Sequence, residues 1–189
     1  MTPAIVHLIG FPGAGKYTIA QELARQATTH LVVIDNHFTA NVIFGVMEVD
    51  GIRVLPEEVW DRVEEVREAV FRTIETLSPR DWSFVLTNVL SEGFPRDAAA
   101  VARLSRLART TNRRYLPVRL HCALDELLTR VPSDERRARL KWVDPEAVRR
   151  YATERELIDV SNHNPLELDV THTSPENAAA AILDHLSRR

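Results

Sequence analysis

Short apolar runs alternate along the chain with longer segments in which apolar residues recur every three or four positions. The short runs predict strands, and because they are mostly apolar they are typical of parallel strands that helices cover on both faces. The longer segments predict amphipathic helices. The predicted strands are 4–9, 31–34, 83–87, 115–121 and 166–170, and the predicted helices are about 16–27, 56–77, 96–109, 123–131, 145–160 and 175–186.

The alternation of strand and helix continues along the whole chain, and it predicts an α/β fold with a doubly wound, mainly parallel sheet. Segment 38–55 carries a turn signal at Asp50-Gly51 but no clear periodicity, so we assign its flanks to neither helix nor strand. A length of 189 residues suits one domain. We therefore expect a single domain over 1–189, without an internal repeat or a linker.

Composition excludes several classes of protein. Hydrophobic residues make up 44% of the chain and charged residues 27%, which argues against disorder and against collagen-like or disulfide-stapled folds. No apolar run approaches the roughly 18 residues of a membrane span, and the first residues lack the pattern of a secretory signal. The single cysteine, Cys122, fits a reducing cytoplasm, and a net charge of −3 argues against a nucleic-acid coat. We expect a cytoplasmic protein without membrane or nucleic-acid partners.

Two residue types that are scarce in this chain come together near its N-terminus. The 24 basic residues include two lysines, Lys16 and Lys141, and the others are arginines. Three of the six glycines, Gly10, Gly13 and Gly15, fall within six residues, and Lys16 follows them directly. Chance is a poor explanation for rare residues at one place, so we interpret the cluster as functional.

The glycine cluster matches the pattern GxxxxGK between a predicted strand and a predicted helix, as a phosphate-binding loop requires. Glycines let successive backbone N–H groups point at a phosphate, and the helix N-terminus adds partial positive charge. Lys16 would supply a full charge for the β- and γ-phosphates of ATP. The predicted nucleotide-binding residues are Gly10, Phe11, Pro12, Gly13, Ala14, Gly15, Lys16, Tyr17 and Thr18.

Tyr17 departs from the usual motif, in which a Ser or Thr after the lysine binds Mg²⁺. Thr18 stands one position later, and this GK-x-T spacing resembles that of adenylate kinases, which read GKGT. The Pro12-Gly13 pair inside the loop resembles them too. The resemblance indicates the nucleoside-monophosphate-kinase-like branch of P-loop proteins, and it implies that Thr18 contacts Mg²⁺ through water.

The arrangement of most of the chain resembles that of shikimate, gluconate and chloramphenicol kinases, and of bacterial P-loop proteins of ATPase or kinase-like type. The resemblance rests on the early phosphate loop, an Arg-rich segment between the fourth and fifth strands, and the closing LDVT…SPE strand and helix. It implies a P-loop NTPase fold with five mainly parallel strands in the order 2-3-1-4-5 and a flap between strands 4 and 5. It also implies binding of ATP and Mg²⁺.

Asp35 ends the second predicted strand, where open α/β sheets bind their ligands. In several of the kinases that the chain resembles, an acid here orients or deprotonates the acceptor hydroxyl, which would make Asp35 catalytic and a ligand of Mg²⁺ through water. His37 could share this task at the acceptor, as could Asn36. The structural alternative is that Asp35 caps the segment that follows it.

The third predicted strand ends in Thr87-Asn88, without the acid that the resemblance leads us to expect there. Asn88 could hydrogen-bond the acceptor or Mg²⁺-bound water, but it carries no charge. The segment EGFPR at 92–96 resembles the DGFPR of adenylate kinase, although it lies four residues beyond the strand. Glu92 and Arg96 are therefore acceptor-binding candidates, and the alternative is a surface loop with a helix cap.

Five basic residues fall within twelve positions after the fourth predicted strand, namely Arg130, Arg136, Arg137, Arg139 and Lys141. We interpret 130–144 as a mobile flap whose cations stabilise charge on a transferring phosphoryl group. Arg130 and Arg136 are the predicted catalytic residues of this flap. The alternative is a solvated basic face, which is the usual meaning of a charge run.

These features favour a kinase that transfers the γ-phosphoryl group of ATP to a small hydroxylated or phosphorylated acceptor. The loop lysine, Asp35 and the two flap arginines would carry the transfer, and segment 36–77 would form a wall of the acceptor pocket. The alternative is a nucleotide-binding switch or ATPase module without an acceptor, which Tyr17 and the missing third-strand acid favour. A nucleotide kinase proper fits less well because its DGFPR-like signature is out of register.

Overall fold

The structure is a computed structural model, and it describes residues 2–188. The strands of this part of the chain are Ala4–Ile9 (β1), Leu31–Ile34 (β2), Ser83–Asn88 (β3), Arg114–His121 (β4) and Leu166–Asp169 (β5). They form one five-stranded sheet in the order β2-β3-β1-β4-β5, and each pair of neighbours is parallel. The predicted α/β class and strand order are therefore confirmed.

Helices fill the connections between the strands. They are Lys16–Gln26 (α1), Asn36–Val46 (α2), Glu57–Thr76 (α3), Pro95–Thr110 (α4), Leu124–Arg130 (α5), Asp134–Ala138 (α6), Pro145–Glu154 (α7) and Pro175–Ser187 (α8), with a 3₁₀ turn at Ser161–His163. Among the helices of residues 2–188, none is both long enough and apolar enough to cross a membrane.

The side chains of β1 alternate between two layers of helices. Val6 and Leu8 belong to a buried cluster that includes residues of α1 and α8, whereas Ile5 belongs to a cluster with residues of α3 and α4. All six residues of β1 are buried, including the polar His7. Burial on both faces explains why this strand has a nearly continuous apolar sequence.

Helix α2 covers the first half of segment 38–55, which the sequence left unassigned. Ala40 and Phe44 of this helix are buried in one cluster with Val59 and Val63 of α3. The two apolar residues four positions apart give α2 one buried side, so packing against α3 stabilises a segment of weak helical periodicity.

The prediction of a helix over 145–160 was wrong at its C-terminal end, because α7 ends at Glu154. The next residues pair with the loop that follows β3. The amide of Ile158 donates to the carbonyl of Leu90 at 3.1 Å, and the amide of Glu92 donates to the carbonyl of Glu156 at 3.0 Å. These backbone bonds between distant segments replace the helical bonds that the local sequence favoured.

The predicted flap at 130–144 is not confirmed. The segment contains the short helix α6, and Val131, Lys141 and Val143 are buried. The amide of Val143 also donates to the carbonyl of Gly51 at 3.3 Å, which joins this segment to the loop after α2. In this structure the Arg-rich segment is packed on the body of the protein.

The strand register brings three strand ends to one edge of the sheet. Ile9 at the end of β1 lies opposite Asn88, and Ile34 at the end of β2 lies opposite Leu86. The loop after β1 and Asp35 after β2 therefore start from the same edge. This is the edge at which open α/β sheets bind their ligands.

Candidate active site

Residues 10–15 connect β1 to α1 in a turn that requires glycine. Gly13 has φ of +91° and Gly15 has φ of +79°, which are conformations that other residues rarely adopt. A Cβ atom on Gly13 would lie 2.7 Å from the carbonyl oxygen of Leu127. The loop is thus held against α5, and its second glycine is needed for both conformation and space.

The side chain of Lys16 folds back over this loop. Its Nζ donates to the carbonyl oxygens of Gly10 at 2.5 Å and Phe11 at 2.9 Å. Burial lowers the pKa of Lys16 to about 7, with help from the positive charges of Arg136 and Lys141, and the carboxylate of Asp35 opposes the shift. An anion beside Lys16 would therefore restore its usual preference for the charged form.

The N-terminus of α1 offers donors to such an anion. Gly15 precedes the helix and has no side chain to cap it, and Lys16 is its first residue. The first turn of α1 contains no acidic residue, so its backbone N–H groups and partial positive charge face no neighbouring carboxylate of that turn. The donor set fits the phosphates of a nucleotide.

The carboxylate of Asp35 raises the pKa of Lys16, and both of its oxygens have partners of their own. One accepts a hydrogen bond from the hydroxyl of Thr87 at 2.6 Å, and the other lies 3.0 Å from the ammonium of Lys141. Asp35 precedes α2, but its carboxylate is used in these contacts rather than in a helix cap. Burial alone would raise the pKa of Asp35, yet the Lys141 charge and the Thr87 hydrogen bond outweigh burial and lower it.

His37 and Asn36 follow Asp35 but face different partners. The Nδ1 atom of His37 lies 3.1 Å from Oδ1 of Asn41, and burial and the Lys141 charge lower the pKa of His37 to about 4. His37 is therefore neutral near pH 7. The Oδ1 atom of Asn36 accepts from the guanidinium of Arg67 at 3.1 Å. Arg67 on α3 therefore lies on the same side of the site as Asn36, although the sequence offered no reason to expect it there.

Asn88 links the site to the core. Its Oδ1 lies 3.0 Å from Nε2 of the buried His7, and Nδ1 of that ring lies 2.9 Å from the hydroxyl of Tyr115. Its Nδ2 faces Oδ1 of Asn36 at 3.5 Å, which is long for a hydrogen bond. Asn88 thus stands beside Asn36 with its carbonyl oxygen already engaged, and its contact with an acceptor stays a prediction.

The structure does not bring Glu92 or Arg96 to this cluster. The carboxylate of Glu92 accepts from the backbone amide of Asp159. The guanidinium of Arg96 lies 3.0 Å from Glu57 and 2.9 Å from Asp61, in an exposed group at the start of α3. Both side chains are engaged in these contacts, and acceptor binding by either of them stays a prediction.

The Arg-rich segment divides between two places. Arg136 lies near enough to Lys16 to lower its pKa, and Asp35 in turn acts on Arg136. The guanidinium of Arg130 instead pairs with Glu126 at 2.9 Å and donates to the carbonyl of Thr171 at 2.8 Å, beyond the end of β5. The structure therefore places Arg136, but not Arg130, with the phosphate loop.

Tyr17 and Lys141 form a contact that sequence reasoning missed. Two cations contact the Tyr17 ring, with the guanidinium carbon of Arg139 at 4.0 Å and Nζ of Lys141 at 4.8 Å from its centre. The signal for Lys141 was present in the composition, because it is one of two lysines in an Arg-rich chain. Lys141 was not singled out because it follows three arginines in the same run of basic residues.

Mg²⁺ fits this site only through water. Within residues 2–188, no group of three or more His, Cys, Asp or Glu side chains is placed to hold a metal ion. Mg²⁺ at nucleotide sites uses one or two carboxylates and the substrate phosphates, and it keeps several waters. The carboxylate of Asp35 and the hydroxyl of Thr18, an exposed residue, are donors of that kind.

A cavity of about 280 Å³ lies on the other side of the phosphate loop. Phe11 and Ala14 of the loop form one wall, and Leu120 and Cys122 at the end of β4 form another. The cavity is thus on the β4 side of the loop, whereas Asp35 is on the β2 side. A long ligand bound across the loop would have one end at each.

No protein-family model and no curated protein sequence matches the chain, but solved structures share its fold. They include a candidate kinase from Chloroflexus aurantiacus (19% identity, TM-score 0.67, 98% of this chain and 96% of that chain covered) and a gluconokinase from Sinorhizobium meliloti (17%, 0.60, 98% and 94%). A shikimate kinase from Acinetobacter baumannii, solved with shikimate, is similar over 98% of this chain and 93% of its own (16%, 0.58). The fold is that of P-loop small-molecule kinases.

Proposed function

We propose that the protein is a kinase that transfers the γ-phosphoryl group of ATP to a hydroxyl group of a small-molecule acceptor. The observation that carries the proposal is the convergence of Asp35 with Lys16 and Arg136 at the carboxyl edge of the sheet. The solved structures of similar fold support the class of reaction, because gluconokinase and shikimate kinase are among them.

The nucleotide would lie across the phosphate loop. Its phosphates would bind the N–H groups at the start of α1 and the ammonium of Lys16. Its nucleoside end would enter the cavity beside Phe11 and Leu120, and its γ-phosphate would point to Asp35 on the opposite side. The acceptor would then lie between Asp35 and the α2–α3 side of the protein.

In the transfer, the acceptor oxygen attacks the γ-phosphorus while the bond from that phosphorus to the bridging oxygen of ADP breaks. The electron pair of the broken bond stays on the β-phosphate, and the hydroxyl proton passes to the carboxylate of Asp35. Lys16 and Arg136 neutralise charge on the phosphoryl oxygens. Mg²⁺, which Asp35 and Thr18 would hold through water, supplies further neutralisation of the phosphates when it is bound.

A nucleotide-binding switch without an acceptor is the second candidate. The ion pair between Asp35 and Lys141 favours it, because the carboxylate that would take the acceptor proton already has a cation at 3.0 Å. A switch would bind ATP at the same loop, but it would show no acceptor-dependent turnover.

The proposal is tested by ADP release from ATP against a panel of hydroxylated acceptors, with a no-acceptor background. Wild-type protein should release ADP faster with at least one acceptor, and Asp35→Asn should lower that rate at least about 10²-fold because it removes a positioned base. ATP binding, followed by thermal shift, should survive Asp35→Asn and be lost in Lys16→Ala. Nucleotide at 100 times its Kd adds about 2.7 kcal/mol of stability, so the shift is measurable.

Three outcomes separate the candidates. Acceptor-dependent ADP release that Asp35→Asn abolishes supports the kinase. ATP binding without any acceptor-dependent release supports the switch. A wild-type protein whose melting temperature does not respond to millimolar ATP, GTP or ADP contradicts both. The melting temperature of Asp35→Asn shows whether loss of the Lys141 ion pair, rather than loss of the base, explains a lower rate.

A further inference from the structure

Tyr17 stands at the first turn of α1, directly after the lysine that would bind the phosphates. Two cations lie over its ring, Arg139 at 4.0 Å and Lys141 at 4.8 Å from the ring centre, and both come from the segment after α6. A cation over the face of an aromatic ring is attracted by the ring's quadrupole. The ring therefore joins the phosphate loop to a segment that is far away in sequence.

Lys141 is held at a defined place by this contact and by two others. Its ammonium pairs with Asp35 at 3.0 Å, and its backbone amide donates to the carbonyl of Arg136 at 3.0 Å. Only 9% of the residue is exposed. A lysine that is almost buried beside a phosphate loop is unusual, because burial of its charge is costly unless an anion compensates.

The cations around Lys141 outnumber the carboxylates, so a bound anion would be stabilised there. The cations that face the loop are Lys16, Arg136, Arg139 and Lys141, and the carboxylates that face them are Asp35 and Glu135, the second of which pairs with Arg139 at 3.4 Å. Positive charge is in excess, and burial disfavours the charged forms of Lys16, Arg136 and Lys141. A bound triphosphate would compensate it.

We infer that Lys141 is a catalytic residue that contacts the γ-phosphoryl oxygens, and that Tyr17 is a positioning residue that holds Lys141 over the phosphate loop. The inference rests on the proposed function. When ATP binds, Lys141 exchanges its ion pair with Asp35 for one with the γ-phosphate. No covalent bond changes in this exchange, and it frees one oxygen of Asp35 to accept the proton of the acceptor hydroxyl.

The inference explains why an aromatic residue can replace the usual Ser or Thr after the loop lysine. A hydroxyl at that position contributes through Mg²⁺, whereas the Tyr17 ring contributes through a cation that it orients. The ring, and not the phenol oxygen, is the part that contacts Arg139 and Lys141. Phenylalanine should therefore replace tyrosine here better than an aliphatic residue can.

The test compares Tyr17→Phe, Tyr17→Leu and Tyr17→Met in steady-state kinetics with the acceptor found for the wild type. Tyr17→Leu should lower kcat about tenfold or more, with a much smaller change in KM for ATP, because misplacing a group that acts on the transition state affects turnover first. Tyr17→Phe should recover most of that loss. Tyr17→Met keeps the test valid if Tyr17→Leu does not fold.

A double-mutant cycle with Lys141→Gln assigns the effect to the right partner. Lys141→Gln keeps a donor toward Asp35 and should itself lower kcat about 10²-fold. In that background Tyr17→Leu should cost little more, because the cation that the ring positions is gone. Thermal shift by ATP on each folded variant gives a readout that does not depend on turnover.

Equal losses in Tyr17→Phe and Tyr17→Leu, or additive losses in the double variant, would overturn the inference while leaving the kinase proposal intact. A wild type that binds ATP but shows no acceptor-dependent turnover would overturn the kinase proposal, and this inference with it. The two failures are therefore distinguishable in one set of measurements.

Discussion

The two ends of the Arg-rich segment carry similar charges but meet different surroundings. At the first end, the Arg130 guanidinium is surrounded by the Glu126 carboxylate and by backbone carbonyls at the end of β5, the closest of which belongs to Thr171 at 2.8 Å. At the second end, Arg136 and Lys141 lie beside Asp35 and the phosphate loop. At the first end, a carboxylate and backbone carbonyls of the protein satisfy the charge of Arg130. At the second end, Lys16, Arg136 and Lys141 share the single carboxylate of Asp35.

This difference shows that the density of charge along a chain does not identify the cations that act in a site. A guanidinium that carbonyl oxygens and a carboxylate already satisfy has few free donors for a ligand. Arg136 also donates to a backbone carbonyl, that of Trp142 at 2.8 Å. It differs from Arg130 in its surroundings, because burial lowers the pKa of Arg136 and the nearby carboxylate of Asp35 opposes that shift. Because the two residues are of the same type, it is their position relative to the phosphate loop that distinguishes them.

The largest effect is expected when one arginine is removed from each end of the segment. Arg136→Ala should lower kcat about 10²-fold with a smaller change in ATP affinity, because it removes charge from the proposed phosphoryl-transfer site. Arg130→Ala should mainly lower the melting temperature, because its contacts hold α5 to the end of β5. Steady-state kinetics and thermal melts on both variants check this, and Arg137→Ala, at an exposed neighbouring position, is the control. Equal losses of kcat in Arg130→Ala and Arg136→Ala would contradict the division.

A smaller effect is expected when the second end is displaced without changing any of its charges. Gly51 has φ of +75°, and a Cβ atom there would clash with the carbonyl oxygen of Lys141. Gly51→Ala should therefore push Lys141 away from Asp35 and lower kcat about tenfold. The matched control is Gly93→Ala, whose φ of +80° is similarly unfavourable but whose Cβ would meet no heavy atom of residues 2–188 within 4 Å.

Both glycine variants should lose about 1 kcal/mol or more of stability from backbone strain alone, and melting temperatures measure that shared cost. The difference in kcat between them then reports the displacement of Lys141. If Gly93→Ala loses as much turnover as Gly51→Ala, strain rather than displacement is responsible, and the position of Lys141 does not matter for the reaction.

The phosphate loop could be predicted from sequence because its chemistry is local. The glycines and Lys16 are neighbours in the chain, and the strand before them and the helix after them are recognisable from apolar spacing alone. The strand order followed from a resemblance, since the alternation of strand and helix is compatible with other orders. The position of Asp35 could also be predicted, because a residue at the end of a strand lies at a known edge of the sheet.

The rest depended on contacts between distant parts of the chain. Nothing near Lys141 in sequence indicates that its partner is Asp35, and nothing near Tyr17 indicates that cations stack on its ring. The end of α7 was mispredicted for the same reason, because the amide of Ile158 donates to the carbonyl of Leu90, a contact that local periodicity does not reveal. Charge runs and loop segments take their role from where tertiary packing places them.

The smallest predicted effect locates Arg130 by a chemical probe that is independent of turnover. The nearest Arg130 nitrogen to Cys122 lies 3.8 Å from its sulfur, and Cys122 is the only cysteine of the chain. Burial raises the pKa of the Cys122 thiol, and the charge of Arg130 opposes that rise. Arg130→Met keeps much of the side-chain volume and removes the charge, so the pKa of Cys122 should rise further. Because the thiolate is the reactive form, alkylation by iodoacetamide near pH 8 should slow about twofold to threefold, and the rate–pH profile should move to higher pH.

Arg136→Ala should leave that profile where it is, since Arg136 belongs to the other end of the segment. A profile that moves with Arg136→Ala and not with Arg130→Met would reverse the assignment of the two arginines.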